Sequence, residues 1–275
     1  CTTALGSALS PMSSAFAKIL NGLIDLLIVA DVKRKIKLCW IIRTTDEFVD
    51  IYGSFPAHLL RTVDFTTMYT QLPHSDLIDT VRKVLHEDVA EILAAKFDMS
   101  PVDAVTKIFI APAKEKVVYS TERHGWNIAE LSRAVEVIVS NAIFMNWGTT
   151  YKQCSGIPAG NEMSPPLANI YLFQKEKEYV KRKINEIGED QVIQRYHGFK
   201  YHLRYIDDII APVVENDFCA LDYGLNMLEV YQGQKAPYLG IEVDVSGRQP
   251  IFNVRDKSKF FAYTIVRFPT WHSAI

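Results

Sequence analysis

Only four cysteines occur in 275 residues, at 1, 39, 154 and 219, and they form no C-x-x-C pair and have no histidines at finger spacing, so a zinc site is excluded. Such sparse thiols fit a reducing, intracellular compartment, not a disulfide framework. Basic charge is short as well. Thirty Lys and Arg stand against 32 Asp and Glu, for a net charge of -2 and a pI near 6.4, so any contact with nucleic acid must come from local patches. An uninterrupted apolar run is also missing: the most hydrophobic window, "AFAKILNGLIDLLIVADV", is broken by Lys18, Asn21 and Asp25. It reads as a buried or amphipathic helix with no membrane partner. No signal peptide, repeat or low-complexity tract is visible, and the chain, opening on Cys1 without a Met, reads as a segment of a longer polypeptide.

What is present is a large apolar fraction, 48%, enough for a sizeable core and more than one lobe. Ser10 or Ser13 can cap a helix running to about Val29, followed by the charged connector "DVKRKIK". Leu77, Ile78, Val81, Val84, Leu85, Val89, Ile92 and Leu93 recur at helical spacing through 75–97, with Ser75 or Asp76 at the start. "VVYS" near 117 reads as a strand. "NIAELSRAVEVIVSNAIFMNW" reads as a helix with Asn127 and Glu130 at capping-box spacing. A further helix has Ser164 as its cap, proline in its first turn and Gly188 at its far end. The stretch from Tyr238 onward alternates like an antiparallel meander. Helices and strands mix without βαβ alternation, which points to an α+β fold with an antiparallel sheet.

Chemistry concentrates in two acidic segments. "YHLRYIDDIIAPV", residues 201–213, reads as a β-hairpin with Asp207 and Asp208 at its tip. Two carboxylates side by side repel and make a poor two-residue turn. They make better sense as half of a site for a hard divalent cation, which takes oxygen ligands from several segments. Asp64 ends the short strand "RTVDF" and is the candidate third ligand, and Tyr69, five residues on, is either core packing or a ring lying beneath a nucleotide sugar. Between the acids, Gly156, Pro158 and Gly160 form a constrained loop that runs into the helix at Ser164-Pro165.

"VDFTTMY", "QCSGIPAGNEMSPPLANIYL", "RYIDDI" and "YLGIEV", in this order, resemble motifs A, B, C and E of reverse transcriptases, with the nearest likeness to the branch holding Penelope-like retroelements and telomerase. The resemblance spans nearly the whole chain. It implies a polymerase right hand with a ferredoxin-like palm: a fingers remnant over 1–58, palm with inserted finger helices over 59–238, and primer-grip hairpin with the start of the thumb over 239–275. It implies that Asp64, Asp207 and Asp208 are catalytic and hold Mg2+, or alternatively Mn2+, with the Phe65 carbonyl as a further ligand. Tyr69 matches the aromatic that rejects a ribose 2′-hydroxyl. Gln153, Gly156, Pro158, Gly160 and Ser164 match the loop that meets template and incoming nucleotide, Leu239 and Gly240 begin the primer grip, and Lys235 is a weak match for a proton donor. The implied partners are an RNA template, a DNA primer and deoxynucleotides, in the nucleus if the chain is part of a retroelement. Ala159 stands where relatives usually carry Met or Gln, and the stretch Tyr231 to Tyr238 is short between motifs C and E. The rival expectation is a domesticated, non-catalytic scaffold that binds RNA or protein. An RNA-dependent RNA polymerase is disfavoured by the bulky Tyr69.

Overall fold

The apolar run near the start folds as helix α1 (Ser10–Asp31) in the computed structural model, which describes residues 10–56, 59–66, 68–114, 116–147, 149–157, 162–214 and 223–255. Met12–Asp31 is long and apolar enough to cross a membrane by length and composition. It is nevertheless a core helix, because Phe16, Ile19, Leu20, Leu23 and Ile24 are buried in the principal core. The Asp31 carboxylate closes it by accepting from the Leu38 and Cys39 N–H groups, 3.0 Å each, and so folds the charged connector back over the helix end.

Helix α2 (Thr45–Tyr52) is capped by Thr44, and strand β1 (Leu60–Phe65) leads through the short α3 (Met68–Gln71) into α4 (His74–Val84). The periodicity through 75–97 is realised as one rod in which a π-helical turn, Leu85–Val89, joins α4 to α5 (Ala90–Phe97). Neither Ser75 nor Asp76 caps it. Pro73 precedes the first turn, and Asp76 instead accepts from the Tyr171 hydroxyl at 2.6 Å. Next come α6 (Pro101–Lys107) and a small antiparallel sheet of β2 (Phe109–Pro112), β3 (Val117–Ser120) and β4 (Trp126–Asn127). Helix α7 (Ile128–Ser140) has the expected capping box, with Glu130 N–H donating to Asn127 Oδ1 at 2.9 Å and Asn127 N–H to Glu130 Oε2 at 3.0 Å.

That helix does not run on to Trp147. Asn141 Nδ2 donates back to the Val137 carbonyl at 2.7 Å, so its side chain competes for the last helical acceptors, and the next residues pair as a hairpin of β5 (Ile143–Asn146) with β6 (Thr149–Lys152). Helix α8 (Ser164–Ile187) has proline in its first turn and stops at Gly188, yet Ser164 is its first helical residue and Met163 holds the cap position without a side-chain bond. Helix α9 (Glu189–Tyr196) follows.

The central sheet is antiparallel, in the order β7 (Leu203–Tyr205), β8 (Asp208–Pro212), β1, β9 (Met227–Gly233). Successive side chains of a strand face opposite sides. On one side Val63, Phe65 and Ile209 join the principal core beneath α1, α4 and α8; on the other, Leu60, Leu203 and Ile210 join a second core with Phe48, Tyr52 and Tyr238. The expected meander is a separate three-stranded sheet, β10 (Lys235–Tyr238), β11 (Ile241–Asp244) and β12 (Ile251–Val254), over that second core. The result is a mixed fold of helices and antiparallel sheet. Asn127→Ala removes one half of the α7 capping box and should lower stability by about 1 kcal/mol. Urea unfolding would read this as a lower midpoint at unchanged slope; an unmoved midpoint would assign the start of α7 to tertiary packing alone.

Candidate active site

The register Leu60↔Pro212 through Val63↔Ile209, continued by one residue, sets Asp64 level with Asp208. By strand parity Asp64 faces with Leu60, and Asp208 with Ile210, so both carboxylates leave the same side of two adjacent strands at the same end. The hairpin tip lies one residue earlier than the sequence suggests. Tyr205 pairs with Asp208, which makes Ile206-Asp207 the two-residue loop and Asp208 the first residue of β8. Asp207 is half-buried. Burial raises its carboxyl pKa, and the charge on Asp64 raises it further, so these two acids from distant segments feel each other directly.

The loop owes its shape to an arginine. Ile206 has φ 56, an uncommon region for a β-branched residue, and its carbonyl accepts from Arg204 Nη1 at 2.7 Å. Arg204 is fully buried beneath the sheet. Its Nε pairs with Glu176 Oε1, Nη2 reaches Glu176 Oε2 at 3.3 Å, and Nη1 donates to Asn169 Oδ1 at 2.6 Å. Burial alone would lower the Arg204 pKa, but the Glu176 carboxylate raises it above the ordinary value, and the guanidinium stays charged. Sequence reasoning missed this group. Its signal was an arginine inside an otherwise apolar strand, "YHLRYI", on the side that Ile209 shows to be core.

A second convergence joins the Tyr69 segment to the glycine loop. Gly156 has φ 83, and a Cβ built there would lie 2.2 Å from the Tyr69 carbonyl oxygen. Gly156 N–H donates to Leu72 O at 2.6 Å, Ile157 N–H to Tyr69 O at 3.0 Å, and Ser155 Oγ to Thr70 O at 3.2 Å. His74 Nε2 lies 2.9 Å from the Gly156 carbonyl and donates to it. The Tyr69 ring rests against the principal core, and burial, then the Asp207 charge, push its hydroxyl up to about 12. Gln153 turns its amide to the Ser155 carbonyl, 2.8 Å away. Ser164 is buried at the start of α8, whereas Pro158 and Gly160 lie outside the described residues. The Phe65 side chain packs on Tyr223 with ring centroids 5.1 Å apart.

Above the sheet face that carries Asp208 is a cleft of about 770 Å³ lined by Asp208, Tyr205, Tyr238, Leu239, Gly240 and Arg43, among others. Leu239 and Gly240 form the β10–β11 turn with φ 48 and 80, the left-handed pair that a tight two-residue hairpin requires. The Tyr238 hydroxyl donates to the Asp208 carbonyl at 3.2 Å. Lys235 begins β10 at the far end from this turn. It pairs with Asp244 at 3.0 Å and does not line the cleft. Among the described residues no three His, Cys, Asp or Glu side chains already converge closely enough to hold a metal ion. The acids stand as an interacting pair, Asp64 and Asp207, with Asp208 as their neighbour on the sheet. Their carboxylate oxygens are the type of ligand that suits a hard divalent cation.

Comparison with protein-family models and with curated proteins returns no match. Solved structures do match. Apo telomerase from Candida tropicalis, truncated from its C-terminal domain, superposes with a TM-score of 0.53 at 13% identity, over 90% of this chain and 46% of that one. A second apo telomerase from the same organism gives 0.54 at 14%, covering 92% and 41%. Telomerase from Candida albicans, in complex with the TWJ fragment of telomeric RNA, gives 0.52 at 13%, covering 94% and 41%. The chain thus spans less than half the length of the telomerase chains it matches. At these identities the likeness is one of fold alone: the chain shares the fold of these telomerase chains.

Gly156→Ala tests the docking of the two segments. The new methyl meets backbone at a positive φ, and the substitution should lower stability by about 1–3 kcal/mol. A denaturation midpoint equal to that of the parent protein would show the loop free to move off Tyr69.

Proposed function

We propose that this chain is the core of an RNA-directed DNA polymerase, a reverse transcriptase of the telomerase and Penelope-like branch, that extends a primer 3′-hydroxyl with deoxynucleotides. The observation that carries this reading is the interaction of Asp64 with Asp207, with Asp208 beside them at the same end of the central sheet, next to a Tyr69 segment docked on the Gly156 loop. In this reading the four-stranded sheet is the palm, the helices before residue 59 belong to the fingers, and the Leu239-Gly240 turn begins the primer grip ahead of the thumb. Asp64, Asp207, Asp208 and the Phe65 carbonyl would hold Mg2+, which Mn2+ can replace. When bound, such ions lower the pKa of the primer hydroxyl and neutralise charge on the leaving pyrophosphate. The remaining work falls to the chain: Tyr69 walls off the sugar's 2′ position, the Gln153–Ser164 loop meets the template and the incoming nucleotide, and the cleft beneath Leu239 receives the primer end. RNA binding, which an RNA template requires, is supported by telomerase neighbours in complex with the TWJ fragment of telomeric RNA. Lys235, already paired with Asp244, is a poor proton donor in this arrangement. The rival reading, a non-catalytic scaffold, draws on the absence of three converged metal-ligating side chains among the described residues.

Asp207→Asn separates the two. Burial and Asp64 hold the Asp207 pKa above its ordinary value, so ionisation of Asp207 works against the fold as pH rises through that pKa. The uncharged amide should therefore leave the denaturation midpoint at pH 7 unchanged or slightly higher. Primer extension should fall by about a thousandfold or more. Extension within about tenfold of the parent would remove Asp207 from the site. A parent protein that extends no primer on an RNA template, with either metal, would favour the scaffold.

Tyr69→Ala asks which substrate is used. If the ring excludes a 2′-hydroxyl, its removal relaxes selectivity, and the deoxynucleotide-to-ribonucleotide ratio of kcat/KM falls more than deoxynucleotide use itself. If the ring only fills space against the core, the same change lowers stability by about 3 kcal/mol and leaves the ratio where it was.

A further inference from the structure

The carboxylate turn is held by a group that no part of the polymerase reading uses. Arg204 lies on the core side of β7, fully buried, where an unpaired guanidinium would be strongly destabilising. Two α8 residues satisfy it, Glu176 along one edge and Asn169 at Nη1. Its Nη1 also donates to the Ile206 carbonyl at 2.7 Å, which is not needed to neutralise the charge. That bond is made to the one residue of the hairpin loop with a positive φ. The backbone of β7 is fixed as well: Arg204 N–H donates to Trp40 O at 2.7 Å, and Ile42 N–H to Arg204 O at 2.9 Å. Strand, loop and helix are thus tied at one side chain.

We propose that Arg204 is a positioning residue, which Glu176 and Asn169 orient from α8 so that it clamps the Ile206-Asp207 loop in the conformation that sets Asp207 beside Asp64. For its bearing on catalysis this inference rests on the polymerase reading; the clamp itself does not. Lysine carries the same charge on a single ammonium, and it cannot span Glu176, Asn169 and the Ile206 carbonyl together as the planar fork does. Arg204→Lys therefore keeps an ion pair and loses the clamp. Arg204→Met with Glu176→Met removes the charge and the pair together, a replacement that proteins often accept without loss of stability.

Amide hydrogen exchange on the full chain reads the clamp directly, and Mn2+ titration reads its consequence. In both variants the Ile206, Asp207 and Asp208 amides should exchange about tenfold or more faster, while Leu60–Val63 of β1 change less than about twofold. Mn2+ affinity should fall by about tenfold as Asp207 leaves its place. If the pair only stabilises the fold, turn and β1 amides will shift together or not at all, and either result in Arg204→Lys overturns the proposal even where the double variant does not fold. A parent protein that extends no primer while its turn amides respond as described would remove the polymerase reading and leave the clamp standing. A parent that extends primers while the turn amides of both variants match its own would do the reverse.

Discussion

Putting a guanidinium into the packed side of a β-sheet is tolerable only when its charge and its donors are all met, and that requirement at Arg204 dictates where α8 must lie. Glu176 and Asn169 are seven residues apart on that helix, two turns on one face, so meeting both fixes the rotation of the helix as well as its position along the sheet. The other faces of α8 are keyed in the same manner. Lys177, nearly buried, pairs with Asp88 at 2.6 Å, and Tyr171 donates to Asp76 at 2.6 Å. Asp88 sits inside the π-helical turn of the α4–α5 rod, so the irregularity in that rod coincides with the residue that meets α8. A wholly apolar interface would permit sliding by a ridge; this one has discrete polar stops.

From that helix the order of the central sheet follows. With α8, α4 and α1 filling the side that carries Val63, Phe65 and Ile209, the alternate residues are sent to the opposite side. There Leu60 and Ile210 are covered by the second core, and a cleft opens between the β10–β11 turn and the sheet end that carries Asp208. The acids stand at that end. Asp208 is exposed and lines the cleft, and Asp207 is half-buried; burial first, and then the charge on Asp64, raises the Asp207 pKa. The same helix begins at Ser164, at the far side of the loop that Gly156 docks onto Tyr69. One element therefore fixes both the carboxylate turn and the exit of the glycine loop.

The parts legible in the sequence were those whose signals are local. The capping box at Asn127 and Glu130, the stop at Gly188, the strand around Asp64 and the antiparallel meander follow from neighbours within a few residues, and each stands where those neighbours put it. The errors arise where distant groups decide. Two adjacent acids suggested their own turn, yet the loop moved one residue upstream because Arg204 binds the Ile206 carbonyl and stabilises a φ that isoleucine does not choose alone. Apolar periodicity carries α7 seven residues too far, since "NAIFMNW" reads as helical until Asn141 and a hairpin partner compete. Ser164 and Asp76 look like caps, but one is buried at the first turn and the other is taken by Tyr171. Gly156 was recognised as a site of close approach, while the surface it approaches, the Tyr69 carbonyl, belongs to a segment more than eighty residues away.

The features that a fold alone does not require bear most on the choice between enzyme and scaffold. A β-branched residue at positive φ costs on the order of 1–3 kcal/mol, like charges gathered at one sheet end repel, and a glycine whose backbone lies too near its neighbour for any side chain leaves that position no other residue. A protein that used this surface only for adhesion would gain by relaxing them: Gly at 206, one Asp fewer, a longer loop at 156. They occur together, they adjoin one another, and a fully buried polar cluster holds one of them in place. Strain of this kind concentrates where geometry must be held to fractions of an ångström. In this chain that place is the end of the central sheet that carries Asp64, Asp207 and Asp208, which is the physical reason the proposed reading puts a site there and does not treat the surface as plain scaffold.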